Sequence, residues 1–293
     1  MPESIGLIGL GLMGAAFTKR LLDLGHRVVA FDIDAAKVAA AESLGASSAA
    51  SAKDVASQCQ TILVCVISTA AVRDVALGER GIVHGANDGT VVVDFSTTVV
   101  ADTVDIAQQL KAASGAGWVD APVSGGPPAA ATGSLAIMAG GTDEDIVRVT
   151  SLLNSMASTF THMGGVGAGQ TTKMVNQILV LNNYVVLAEA CALAKAGGID
   201  AEKIPEALGS GYAGSNLMKA MFPRMVARDF APAGYARQVL KDLDMVQDLA
   251  RQLGVPTPMS SEAASLFRVL VSKGHAELDG IAIYKLLAPD ETV

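Results

Sequence analysis

The sequence predicts an α/β protein: a doubly wound parallel sheet forms the N-terminal half, and an all-α C-terminal half follows it through a long interdomain helix. Three observations carry this. A strand, glycine turn, helix and second strand open the chain, and short apolar runs then alternate with helical segments as far as about His162. Beyond Gly169 no further strand pattern occurs.

The opening unit, SIGLIGLGLMGAAFTKRLLDLGHRVVAFD, runs from Ser4 to Asp32. Ile5, Leu7 and Ile8 make a short strand. Gly9, Gly11 and Gly14 then turn the chain into a helix over about Leu12 to Leu24, which Gly25 closes. A second strand, Arg27 to Phe31, ends in Asp32, eighteen residues after Gly14. A G-x-G-x-x-G turn between strand and helix, with an acid about 20 residues on, is a dinucleotide-binding fingerprint. Gly9 permits the tight turn, Gly11 lets the backbone approach a pyrophosphate, and Gly14 lets helix and strand pack closely. The helix start at Leu12 and Met13 faces the phosphates. Asp32 accepts both adenosine-ribose hydroxyls and repels a 2′-phosphate. Lys37 is the only nearby cation, so NAD is expected in preference to NADP. Asp34 is the natural cap of the next helix, Ala35 to Leu44.

Apolar strands follow at Ile62–Ile67, Thr90–Ser96, Trp118–Ser124 and Ser134–Gly141, with a last one near Thr159–His162; a helix is expected over Ala101–Ala112. Continuous apolar runs of this kind suit strands buried on both faces. From Gln170 to Ala196 a helical period runs for about 27 residues, near 40 Å at 1.5 Å per residue, and Gly197 and Gly198 stop it. Helices over Ala201–Leu208, Leu217–Arg228, Tyr235–Leu253, Ser260–Lys273 and near Asp279–Leu287 complete the chain. The glycine-rich Gly164–Gly169 divides it into domains 1–165 and 166–293.

Composition narrows the function. The 293 residues are 51% hydrophobic and only 4% aromatic, with a net charge of −8 and no Lys/Arg cluster, which argues against nucleic-acid and anionic-membrane partners. No apolar run approaches the roughly 18 residues of a membrane span without interruption by charge or glycine. The chain enters its first strand at once, leaving no room for a signal peptide, so a cytoplasmic location is expected. Cys59, Cys65 and Cys191 share no metal or redox spacing, and Cys65 reads as a small core residue. His26, His84, His162 and His275 are isolated, and no metal is expected.

Four segments remain that carry chemistry. DAPVSGG, Asp120 to Gly126, offers the Ser124 hydroxyl and the backbone N–H groups of Gly125 and Gly126 to an anion, or forms an ordinary strand-ending turn. KMVNQ puts Lys173, Asn176 and Gln177 at i, i+3 and i+4 on one helix face, as a polar cluster with a purpose or a solvated stripe. VDFST ends a strand with Ser96 and Thr97 at the carboxyl edge of the sheet, where doubly wound folds bind ligands. KDLDM, Lys241 to Met245, lies on a helix and by itself reads as surface charge.

Together GLIGLGLMG, DFST, DAPVSGG with GSLAIMAGG, GQTTKMVNQ and LKDLDM resemble the β-hydroxyacid dehydrogenase family over nearly the whole chain. The resemblance implies a Rossmann domain followed by a helical domain with the active site in the cleft between them, and a homodimer or homotetramer built through the helical domains. It makes Lys173 the catalytic lysine, with Asn176 and Gln177 beside it, and makes Ser124, Gly125 and Gly126 the substrate loop. It adds Val66, Ser96, Thr97, Phe230 and Lys241 to Gly9, Gly11, Leu12, Met13, Gly14 and Asp32 as the cofactor-binding set. Some family members carry Asn where this chain has Gln177. A lysine whose pKa is lowered by burial serves as general acid/base for hydride transfer and stabilises alkoxide charge as the ammonium.

The function expected is NAD-dependent hydride transfer to or from a small 3-hydroxy carboxylic acid such as 3-hydroxyisobutyrate, glycerate (with tartronate semialdehyde as its oxidised partner) or threonate. Alternatives are an imine or other carbonyl reductase of the same architecture, against which Lys173 argues, or a non-catalytic dinucleotide-binding regulator. Ser215 and Asn216 either favour a hydroxylated substrate or cap the helix that begins near Leu217.

Overall fold

The structure, a computed structural model, describes residues 4–288. In chain order the first part holds β1 (Ser4–Ile8), α1 (Leu12–Asp23), β2 (Arg27–Phe31), α2 (Ala35–Ser43), β3 (Ser47–Ser48), α3 (Ala52–Ala56), β4 (Thr61–Val64), α4 (Thr69–Leu77), β5 (Val91–Asp94), α5 (Val100–Ser114), β6 (Gly117–Asp120), β7 (Val123–Ser124), α6 (Gly126–Thr132), β8 (Leu135–Gly140), α7 (Asp143–Met156) and β9 (Ala157–Gly164). Then come α8 (Ala168–Ala196), α9 (Ile204–Leu208), α10 (Asn216–Val226), α11 (Ala236–Leu253), α12 (Pro258–Leu270) and α13 (Tyr284–Leu287), with short irregular helical turns between them. The described residues up to Lys173 form one compact unit and those from Met174 another, the division falling inside α8.

The sheet runs β3-β2-β1-β4-β5-β6-β8-β7, with β9 beside β8. The first six strands are parallel, in the dinucleotide-fold order with its switch point between β1 and β4. Beyond β6 the all-parallel expectation is corrected: β8 lies antiparallel to β6 and β7, and β9 parallel to β8. Alternating residues on each strand explain the continuous apolar runs. Leu63, Val93 and Val119 join a core with Phe17 and Leu21 of α1 and Val149 and Leu153 of α7, whereas Ile62, Val64, Val92 and Trp118 join a second core with Val55 of α3, Val72 of α4 and Ile106 of α5.

Several strands are shorter than expected because the chain leaves the sheet to build loops at its carboxyl edge. The run Ile62–Ile67 is strand only to Val64, after which Val66 N–H turns to Ser96 Oγ. Thr90–Ser96 shortens to Val91–Asp94 as Ser96 N–H returns to Asp94 Oδ1. Trp118–Ser124 divides into β6 and β7 around Ala121–Pro122, since proline cannot donate to a ladder. The helical starts at Asp34 and Ser215 are capped by those residues, which accept from Ala36 N and Met218 N respectively.

In the second unit, Leu181, Val185, Ala188 and Cys191 of α8 meet Phe222 of α10, Leu243 of α11, Phe267 of α12 and Tyr284 in one core. α8 is long and apolar enough to cross a membrane by length and composition, although Glu189 interrupts the apolar stretch between Met174 and Ala194. Its other face leaves Val175, Leu179, Val186 and Leu193 exposed, at 54%, 64%, 47% and 75%.

Candidate active site

In the first unit the three fingerprint glycines answer to different neighbours. Gly9 has φ +94°, and a Cβ there would sit 2.2 Å from the Cys65 carbonyl oxygen and 2.9 Å from Val66 Cγ1. A Cβ on Gly14 would sit 1.9 Å from the Gly9 carbonyl oxygen. A Cβ on Gly11 would meet nothing within 4 Å, so its small size leaves room for an external group against the backbone. That cradle, at the start of α1, fits a dinucleotide pyrophosphate. Leu12 is exposed there and Met13 packs on the first core. Asp32 Oδ2 accepts from Leu10 N (2.7 Å) and Oδ1 from Asp34 N (2.9 Å), so the carboxylate stands over the glycine loop.

Beside it lie the loops after β4 and β5. Ser96 is buried, its Oγ accepting from Val66 N (3.0 Å), and Thr97 is half-buried next to it. Burial, with the Asp94 charge adding, pushes the Cys65 thiol up to about 12, which leaves it unreactive near neutral pH.

The start of α8 is held from two directions. Asp120, fully buried at the end of β6, accepts from Gly167 N (2.7 Å, Oδ1) and Gln170 N (2.8 Å, Oδ2). Burial pushes its carboxyl up to about 6, against the opposing pull of these backbone donors. Gln170, also fully buried, donates Nε2 to the Ser96 carbonyl (2.8 Å) and accepts at Oε1 from Thr98 N (3.1 Å). One residue-turn further, Lys173 is buried with Nζ donating to the Val123 carbonyl at 2.7 Å. The structure thus brings Lys173 beside the loop that begins at Ser124. Gly125 and Gly126 take φ +128° and +69°, and a Cβ on Gly125 would crowd Ala129 Cβ at 2.6 Å. Gly126 opens α6, and since Pro127 and Pro128 lack N–H groups, Gly125 and Gly126 are the donors at that turn.

In the second unit, Asn176 Nδ2 donates to Gln177 Oε1 (2.7 Å), Gln177 Nε2 donates to Asp242 Oδ2, and Lys241 Nζ pairs with Asp242 Oδ1 (3.0 Å). Gln177 and Asp242 are buried, so neither KMVNQ nor KDLDM is simply a solvated stripe. Phe230 packs on the helical core, its carbonyl accepting from Asp279 N (3.1 Å), with Lys285 Nζ 5.5 Å from its ring centroid. Buried Asp279 also accepts from Ala233 N and Gly234 N, fixing the loop after Phe230.

Asp120, Gln170, Asp242 and Asp279 were not singled out as functional by sequence pattern. A signal existed for one of them: Asp242 shares the α11 face of Val239, Leu243 and Val246, where an apolar residue is expected.

Residues 4–165 match the family described as the NAD binding domain of 6-phosphogluconate dehydrogenase, and residues 167–287 the family described as NAD-binding of NADP-dependent 3-hydroxyisobutyrate dehydrogenase. The chain is 32% identical over 283 residues to 2-hydroxy-3-oxopropionate reductase of Escherichia coli, covering 97% of this chain and 96% of that one. It is 32% identical over 299 residues to NAD-dependent L-serine dehydrogenase of Pseudomonas aeruginosa, covering 99% of each. The crystal structure of 3-hydroxyisobutyrate dehydrogenase from Salmonella typhimurium superposes with a TM-score of 0.88 at 30% identity, over 97% of this chain and 99% of that one.

Proposed function

This chain belongs to the β-hydroxyacid dehydrogenase family of NAD(P)-binding oxidoreductases, and from that premise we propose that it transfers a hydride between NAD and a small 3-hydroxy carboxylate or its semialdehyde, with Lys173 as general acid/base. The observation that carries this reading is the buried residue Lys173, whose Nζ lies 2.7 Å from the Val123 carbonyl and so beside the Ser124–Gly126 loop. NAD, when bound, supplies the hydride acceptor. In the oxidising direction the C–H electron pair leaves as hydride, the O–H proton passes to Lys173 Nζ, and a C=O remains; in reverse Nζ returns the proton. Ser124 Oγ and the Gly125 and Gly126 N–H groups hold the carboxylate and so aim the carbinol carbon. Asn176 Nδ2, one turn after Lys173 on α8, donates to Gln177, which Asp242 holds in turn.

Both relatives named above act, by their names, on three-carbon carboxylates with an oxygen on the β-carbon, which supports the substrate class. The choice of NAD rests on Asp32, whose carboxylate, held by Leu10 N and Asp34 N just after β2, would accept from the adenosine-ribose hydroxyls and repel a 2′-phosphate. The test compares 3-hydroxyisobutyrate with 2-methyl-1,3-propanediol, which replaces its carboxylate by a hydroxymethyl group, each with NAD and with NADP. Loss of about 2 kcal/mol of carboxylate binding lowers kcat/KM at least about 10-fold for the diol, and NAD is preferred over NADP. Equal rates with the diol, or a clear NADP preference, contradict the respective assignment.

We also propose self-association through the second unit, since Val175, Leu179, Val186 and Leu193 recur as exposed apolar residues along α8. Light scattering after gel filtration should give a multiple of the 29.8 kDa chain mass, and Leu179→Glu with Leu193→Glu should lower it. A wild-type protein of monomer mass would contradict this.

A further inference from the structure

We propose that Asp120 and Gln170 are a buried clamp that positions Lys173, Asp120 by capping the first turn of α8 from a neighbouring strand and Gln170 by tying that turn to the Ser96–Thr98 segment. The proposal rests on Lys173 being the acid/base. A helix start ordinarily satisfies its free N–H groups with its own N-cap side chain. Here the acceptor comes from the end of β6, 50 residues away in sequence from Gln170, at 2.8 Å. The approach is built for closeness. A Cβ on Gly169 would lie 2.4 Å from the Asp120 carbonyl oxygen, and one on Gly140 would lie 2.7 Å from Asp120 Oδ1. Gly167 takes φ +93° at the turn whose N–H meets the same carboxylate.

Gln170 uses its backbone N–H and both ends of its side-chain amide. Its backbone N–H goes to Asp120, its Nε2 to the Ser96 carbonyl and its Oε1 to Thr98 N. Ser96 Oγ in turn receives Val66 N. Gln170 therefore ties the loop after β5, and through Ser96 the loop after β4, to the helix that bears Lys173. Lys173 stands three residues on, about 4.5 Å along the helix axis. A shift of the first turn thus moves Nζ relative to Val123 and the substrate loop, and misplacement by about 1 Å costs roughly 10²-fold in rate. Neither Asp120 nor Gln170 touches the reacting atoms in this arrangement; both are positioning residues.

The test is a double-mutant cycle on kcat, with NADH affinity and melting temperature measured alongside. Asp120→Asn should lower kcat roughly 10- to 100-fold while the Kd for NADH stays within about twofold. In the Lys173→Ala background, residual turnover followed over hours should change by no more than about twofold on adding Asp120→Asn, because the group being positioned is gone. Gln170→Met carries the same cycle if Asp120→Asn does not fold. Wild-type kcat in the foldable single variant, or an equal fold-loss in both backgrounds, would overturn the clamp and leave a merely structural brace. Near-wild-type turnover in Lys173→Ala alone removes the lysine from the mechanism and the clamp with it, an outcome read from that variant without reference to Asp120.

Discussion

Lys173→Ala is expected to lower kcat by roughly 10²- to 10⁴-fold, the usual contribution of a positioned acid/base, with the Kd for NADH within about twofold of wild type. The separation follows from where the residue sits. The glycine loop and Asp32 hang on β1, α1 and β2, whereas Lys173 Nζ is held at the Val123 carbonyl on β7. Removing the side chain takes away the proton acceptor for the alcohol and the ammonium that steadies an alkoxide, and touches no dinucleotide-loop contact. Lys173→Arg should not restore the rate, because a guanidinium does not give up its proton near neutral pH. Steady-state turnover and a fluorescence titration with NADH read the two quantities separately. A parallel loss of both would place the lysine in cofactor binding instead.

The second large effect separates the glycines. Gly14→Ala places a Cβ where the Gly9 carbonyl oxygen lies 1.9 Å away. Both atoms belong to the fingerprint turn itself, so backbone must move, and a loss of about 3 kcal/mol of stability is expected. Gly11→Ala meets nothing within 4 Å and has an ordinary φ of −65°. Its stability should stay close to wild type, while a methyl group crowding the pyrophosphate weakens dinucleotide binding by about 10- to 100-fold. Thermal melts with and without NADH distinguish the two. Gly11→Ala should keep its apo melting temperature and lose most of the NADH-induced rise; a variant that still rises like wild type would show that the dinucleotide does not approach this backbone.

Much of this was legible because local chemistry and global fold agree. Gly9, Gly14, Asp34 and the strand Arg27–Phe31 stand where the sequence puts them, since turn, cap and packing each depend on residues within a few positions. The helices α3, α4 and α7 are marked by local caps as well. Ser51 accepts from Asp54 N, Ser68 from Ala71 N and Thr142 from Asp145 N; α3 and α4 are too short to show a period, whereas α7 carries Ile146, Val149, Leu152, Leu153 and Met156 at helical spacing, so its signal is present in the sequence beside the more conspicuous strand runs. The antiparallel β8 was hidden for a different reason. A buried strand looks alike in either direction, and only the Pro122 break and the short return through α6 reverse it. Of the site, Lys173 and the Ser124 loop were visible as motif, but the bonds that hold them were not. Asp120 accepts from Gly167 and Gln170 across 47 and 50 residues, and Gln177 meets Asp242 across 65, separations at which periodicity carries no information.

The central claim is tested most directly by NADH formation from NAD, followed at fixed enzyme concentration over 3-hydroxyisobutyrate, D-glycerate, L-serine and threonate, with Lys173→Ala beside the wild type. Turnover of at least one of these acids by the wild type, lost in the variant, is the predicted result. Absence of turnover with every acid despite NADH binding, or turnover that survives the loss of Lys173, would contradict it.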